Sequence, residues 1–336
     1  MLSRHFLRAK ALQAIYAGVS DNKTTEQDIL KTYDYNVSRL NDLGLTQMST
    51  LDYLIFTAER VLELETKKFN PSKKEIDALS KIANNSFLNK LVSSFEFKQQ
   101  MNRLHIDWSN YFDVFRKILT NFKSSRNFAE YASNGEPTFD DDKNIAVVAF
   151  KFLMNDDTLR DIIFDRDLLW EDDFDQVAQY VFMQLKELTE ESTNEAMVCP
   201  QIFDSRNQKD CNDYNFARQL AADTFKHIDD VESLIRKHLQ NWDLDRVAMM
   251  DIILINMAVT EFVYCPSIPE RVTVDEYIEL SKEFSTEKSK LFINGILDKI
   301  LIELRVAGRI QKNERGMYDP EIDGDVPPDD VAPTIR

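Results

Sequence analysis

The 336-residue chain reads as an all-α protein, and three observations predict that class. First, apolar residues recur at helical spacing. Leu51, Leu54, Ile55, Ala58, Val61 and Leu62 form one stripe, Phe112, Phe115, Ile118, Leu119 and Phe122 a second, and Val177, Val181, Phe182 and Leu185 a third. Second, the seven glycines are nowhere closer than eight residues apart, so the chain carries no Gly-rich phosphate loop and no nucleophile elbow. Third, the longest apolar run, Ile252 to Val259, contains Asn256 and falls far short of the roughly 18–20 residues of a membrane span. It is expected to be a buried core helix.

The elements follow in order. Residues 1–18 should form a first helix, with Leu7, Ala11, Leu12, Ala14 and Ile15 as its docking side. Residues 23–196 should hold seven or eight helices, broken by an exposed loop at 133–142, SNGEPTFDDD. A polar connector at 197–211 contains Cys199, Pro200 and Cys211. Helices resume at 212–240, 244–263, 272–284 and 289–307, and Pro266 and Pro269 force a loop between the second and third of these. From about 310, Pro320, Pro327, Pro328 and Pro333 stand among acids, the composition of a disordered acidic tail.

Charge narrows the function classes. The net charge of −17 argues against nucleic-acid binding through the whole surface. The charge is segregated, however. Residues 137–200 carry sixteen acids against five bases, whereas the first twenty residues contain no acid. Three widely spaced cysteines give neither a disulfide framework nor a zinc site, and four scattered histidines give no metal cluster. The acidic runs Asp140–Asp142 and Glu171–Asp173 adjoin helix starts, where carboxylates satisfy free N–H groups. No Ser/His/Asp or Cys/His spacing supports catalysis, so no catalytic residue, metal or cofactor is assigned. Arg8 and Lys10 inside the N-terminal apolar stretch make a poor signal peptide, and a cytoplasmic protein is expected.

Two basic places remain. Arg4 and Arg8 lie one helical turn apart with His5 beside them, a ridge able to hold phosphates or simply to face solvent. At 285–294, a polar hinge presents Lys288, Lys290 and Phe292. Lysines for phosphates and an aromatic for base stacking are what readers of single-stranded RNA combine, and Phe292 is equally explicable as a core residue. Gly295 then sits inside a helix at a cost of about 1 kcal/mol relative to alanine, a sign of close packing or of a functional contact.

These regions together resemble the bacterial transcription antitermination factor NusB family. The resemblance rests on His238 to Trp242, Leu244 to Arg246, Asp251, Ala258, Glu261, the loop Pro266 to Pro269, VTVDEYIELSKEF at 272–284 and SKLFINGILDKI at 289–300. Its most specific element is F-x-N-G-x-L-D-K, from Phe292 to Lys299. At the other end, Arg4, Arg8, Gln13, Ala14 and Tyr16 are similar to the family's first helix, and residues 216–239 look like its middle helices. The resemblance implies two packed helical bundles plus additional inserted helices. It divides the chain into an N-terminal core helix at 1–20, a helical insertion at 21–211, the C-terminal core at 212–308 and the tail at 309–336.

It also implies a non-enzymatic, RNA-binding factor of transcription antitermination and elongation. Such a factor acts with ribosomal protein S10 on a boxA-type single-stranded RNA in ribosomal RNA operons, within the transcription elongation complex and away from any membrane. Carried over by position, Arg4, Arg8, Lys288, Lys290, Phe292 and Asn294 contact RNA, and Tyr16 and Asp251 lie where the family meets S10. Two rivals stand beside this reading. One is a helical protein-binding scaffold without RNA binding, and the other is an RNA-binding accessory domain of ribosomal RNA modification.

Overall fold

A computed structural model describes residues 2–20, 24–133, 135–192, 202–203, 207–239 and 247–317. Among them the fold is all-α, with fifteen α-helices and no strand. In chain order these are α1 (Arg4–Val19), α2 (Glu26–Thr66), α3 (Lys73–Ala83), α4 (Ser86–Ser93), α5 (Phe95–Arg103), α6 (Phe112–Lys123), α7 (Arg126–Ser133) and α8 (Phe139–Met154). They continue with α9 (Asp157–Phe164), α10 (Phe174–Glu187), α11 (Gln208–Lys226), α12 (Ile228–His238), α13 (Met249–Tyr264), α14 (Glu270–Phe284) and α15 (Ser289–Val306). The described residues form two units, one within 38–203 and the other within 2–37 and 207–317.

The unit made from the two chain ends is built around α1, which packs on α11, α13 and α14. Ser3 caps α1, its hydroxyl accepting from the Phe6 amide at 3.2 Å. Leu7, Ala9, Ala11, Leu12, Ala14 and Ile15 are buried on several sides of the helix rather than along one stripe. The expected solvent ridge on α1 is therefore largely inside the bundle. Gly18 permits one close approach, since a Cβ there would lie 1.9 Å from the Ile29 side chain on α2. The start of α2 is fixed to α11 by Arg218, which forks onto Asp34 at 2.8 and 3.1 Å, and by the Tyr33 hydroxyl, which donates to the Tyr214 carbonyl.

The predicted helix at 212–240 divides at His227, which ends α11 and starts α12. The beginning of the predicted helix at 244–263 lies outside the described residues, as do Trp242, Leu244 and Arg246. The expectation of disorder from 309 needs correction. Lys312 donates to the Cys265 carbonyl at 2.9 Å and the Asn313 amide to the Pro266 carbonyl at 3.1 Å, so 309–317 are tied to the loop after α13. The remainder of the predicted tail lies outside the described residues.

The other unit contains most of α2 and the helices α3 to α10. Its core is aromatic, with Phe87, Phe97, Phe115, Phe150 and Phe174 fully buried. Thr138 and Asp141 form a capping box at the start of α8, the role expected for that acidic run. The next residue, Asp142, is buried and accepts from the Tyr131 hydroxyl at 2.6 Å and from the Ser86 amide and hydroxyl at 2.6 and 2.7 Å. A carboxylate with that many donors stabilises the junctions of α4, α7 and α8. No helix among the described residues is long and apolar enough to cross a membrane.

Candidate RNA and protein interface

The apolar helix α13 buries two acids, Asp251 at its start and Glu261, whose side chain has no exposure. A buried carboxylate needs a partner, and Arg8 supplies it from α1. The Arg8 Nε and Nη2 atoms donate to the two Glu261 oxygens at 2.8 Å each. Thr273 and Tyr277 on α14 add hydroxyl donors at 2.9 and 3.2 Å. Burial opposes the Arg8 charge, but the Glu261 carboxylate more than offsets this and the guanidinium's pKa is raised. Burial and then Glu261 push the Tyr277 phenol well above its ordinary value, keeping it a donor. Arg8, expected from resemblance to hold phosphate, is thus 1% exposed and spent on an internal fork. It locks α1 to α13 and α14.

Arg4 sits one turn earlier and donates to Asp213 at 2.6 Å, with part of its side chain still in solvent. Both guanidiniums lie over the Phe216 ring, at 5.1 and 5.0 Å from its centroid. His5 bridges two carboxylates of α14, Nδ1 to Glu276 at 2.9 Å and Nε2 to Glu283 at 3.0 Å. The bond to Glu276 raises the His5 pKa against partial burial, with Glu283 adding to it. Glu283 is two residues before Ser285. The amino end of α1 and the hinge after α14, some 280 residues apart in sequence, therefore come together.

The hinge is braced from beneath by Asp251 at the start of α13. Its two oxygens accept from Ser285 at 2.5 Å and Ser289 at 2.9 Å, and Ser289 also shares hydrogen bonds with Ser285 and Thr286 at 2.9 Å. Asp251, expected to meet a partner protein, is buried with both oxygens engaged and acts as a positioning residue. What it positions is the start of α15. Lys288 and Lys290 are exposed there, and Phe292 and Asn294 are half-buried. Tyr16 is 43% exposed on α1. Gly295 is exposed and a Cβ there would meet nothing within 4 Å, so close packing inside the chain does not account for it. Among the described residues no three His, Cys, Asp or Glu side chains cluster as a metal site. Burial, with Glu261 next, pushes the Cys265 thiol up to about 12, so it is inert as a nucleophile.

Residues 174–301 match the model of the NusB family. The chain carries a NusB-family domain. Over 103 residues it is 40% identical to the transcription antitermination protein NusB of Salinibacter ruber, covering 31% of this chain and 64% of that one. The NusB protein of Chloroherpeton thalassium is 36% identical over 105 residues, covering 31% of this chain and 50% of its own. That of Finegoldia magna is 40% identical over 90 residues, covering 27% and 66%. The chain thus spans about half to two thirds of the length of the curated relatives it matches. No solved structure matches. The NusB-family match leaves out α1, although the Arg8–Glu261 fork ties α1 into the middle of the matched segment, and the extra helical region beside the NusB-family domain fits an insertion.

Proposed function

We propose that the chain is a non-enzymatic, cytoplasmic factor of transcription antitermination that binds a boxA-type single-stranded RNA together with ribosomal protein S10. The observation that carries this reading is the braced hinge. Asp251, Ser285 and Ser289 hold Lys288 and Lys290 out in solvent at the start of α15, with Phe292 one turn on from Lys288. Lysines aimed at a backbone beside an aromatic ring suit a single strand. The remaining exposed part of Arg4 extends the same surface. Asp213 pairs with Arg4, Glu261 with Arg8, and Glu276 and Glu283 with His5, so the described part of α1 offers this surface little free positive charge. A basic partner supplies the missing counter-charge. Tyr16 remains the exposed candidate for that partner.

A second reading, a helical scaffold that binds protein and not RNA, is favoured by Arg8 being spent on Glu261. One titration separates the two. A labelled boxA-type RNA is added to the full chain alone and to the chain saturated with S10. RNA retention that tightens with S10 supports the proposal. Association with S10 without RNA retention selects the scaffold, and failure of both associations rejects each reading.

A further inference from the structure

The outer face of α15 carries a stripe that the fold leaves uncovered. Leu291, Ile302 and Val306 are 74%, 61% and 86% exposed, and Gly295, Asp298 and Lys299 are exposed between them. At 3.6 residues per turn these six positions fall within about 100° of arc and span about 22 Å of helix. Asp298 and Lys299 have no ion pair among the described residues. Leu291, Ile302 and Val306 thus stand in solvent along one arc, with an acid and a base between them.

The stripe is complementary to itself. Let two copies of α15 lie antiparallel, with a two-fold axis passing between residues 298 and 299. Leu291 then faces the partner's Val306, Gly295 faces the partner's Ile302, and Asp298 faces the partner's Lys299. The symmetry repeats each pairing. This register pairs every member of the stripe, apolar with apolar, small with large and acid with base. We propose that the chain forms a two-fold symmetric homodimer through α15 in this register. The open space over Gly295 is then the hole that takes the partner's Ile302, which explains a helix-interior glycine that packs on nothing in its own chain. The inference does not rest on RNA binding.

The test is sedimentation of the full chain over a concentration series, with circular dichroism checking that each variant keeps its helix content. The wild type is expected to dimerise with rising concentration, and Ile302→Glu to shift the midpoint at least tenfold higher. Asp298→Lys and Lys299→Asp should each be monomeric where the wild type is half dimeric, because like charges then face each other twice. Mixed together, these two variants should form a heterodimer, since lysine meets aspartate at both contacts. A wild type that stays monomeric up to its solubility limit overturns the proposal, as another occupant of the face would give. A dimer indifferent to Ile302→Glu, or charge variants that stay monomeric on mixing, overturns the interface.

Discussion

Glu261→Gln is the most informative internal change. It keeps the shape of the side chain and removes the charge that holds Arg8. The Arg8 guanidinium is 2% exposed at its side chain, so water cannot replace the lost partner. Breaking a buried pair from one side costs about 3–5 kcal/mol. Thr273 donates to one Glu261 oxygen and Tyr277 to the other, so the glutamine keeps an acceptor for only one of them and the loss adds a displaced hydroxyl bond to the broken fork. Hydrogen exchange of the α13 amides reads the effect within its own unit. Exchange should speed by roughly two to four orders of magnitude, up to the ceiling of global unfolding. Replacing both partners, Arg8→Met with Glu261→Met, should recover most of the protection, because a packed apolar pair needs no desolvated charges. Less than about tenfold acceleration in the single variant would refute the reasoning, since a fork between two charges this buried is worth far more. So would a double variant as labile as the single one.

Other outcomes are equally specific. Asp251→Ala leaves the Ser285 and Ser289 hydroxyls without their acceptor. It should loosen the hinge by about 1–3 kcal/mol, seen as faster exchange at 285–290 and weaker RNA binding by a residue that touches no RNA. His5 has a raised folded pKa, so its contribution is fully present below its unfolded value near 6.5 and is lost as pH rises through the folded one. An NMR titration should place its midpoint above that of a free histidine, and His5→Gln should remove this decline in stability. Glu276 has a lowered pKa, through its bond to His5 against partial burial. Its share is present above the ordinary glutamate value and disappears as pH falls through the folded value.

Much of this was legible in sequence, because helical periodicity in a glycine-poor chain leaves few alternatives. The hinge and the F-x-N-G element were found where two helices meet, and the structure sets both at the start of α15. What spacing alone could not supply was the third dimension of α1. Arg4 and Arg8 share a face on any helical wheel, but only tertiary packing shows that Arg8 points into α13. The signal was present in another place. Glu261 is an acid in the apolar body of α13, which calls for a buried cation, and the acid-free first helix was the place to look for it. Asp251 entered through the resemblance, as a residue near a protein partner, and spacing gave no sign that two serines from a distant hinge would bond to it. Phe216, between the two arginines, gave no signal beyond being one aromatic among many. Gly295 was noticed for its cost, and the open space above it shows that no close neighbour in its own chain requires it.

The central claim is that Lys288 and Lys290 are phosphate-binding residues of a single-stranded RNA surface. The most direct measurement is the salt dependence of boxA-type RNA affinity for the S10-bound chain, compared with Lys288→Ala/Lys290→Ala. Each lost phosphate contact on a single strand flattens the slope of log K against log salt by about 0.7, so the double variant should be shallower by about 1.4. An unchanged slope, with RNA still bound, would show that the hinge lysines do not meet the RNA backbone and would contradict the account.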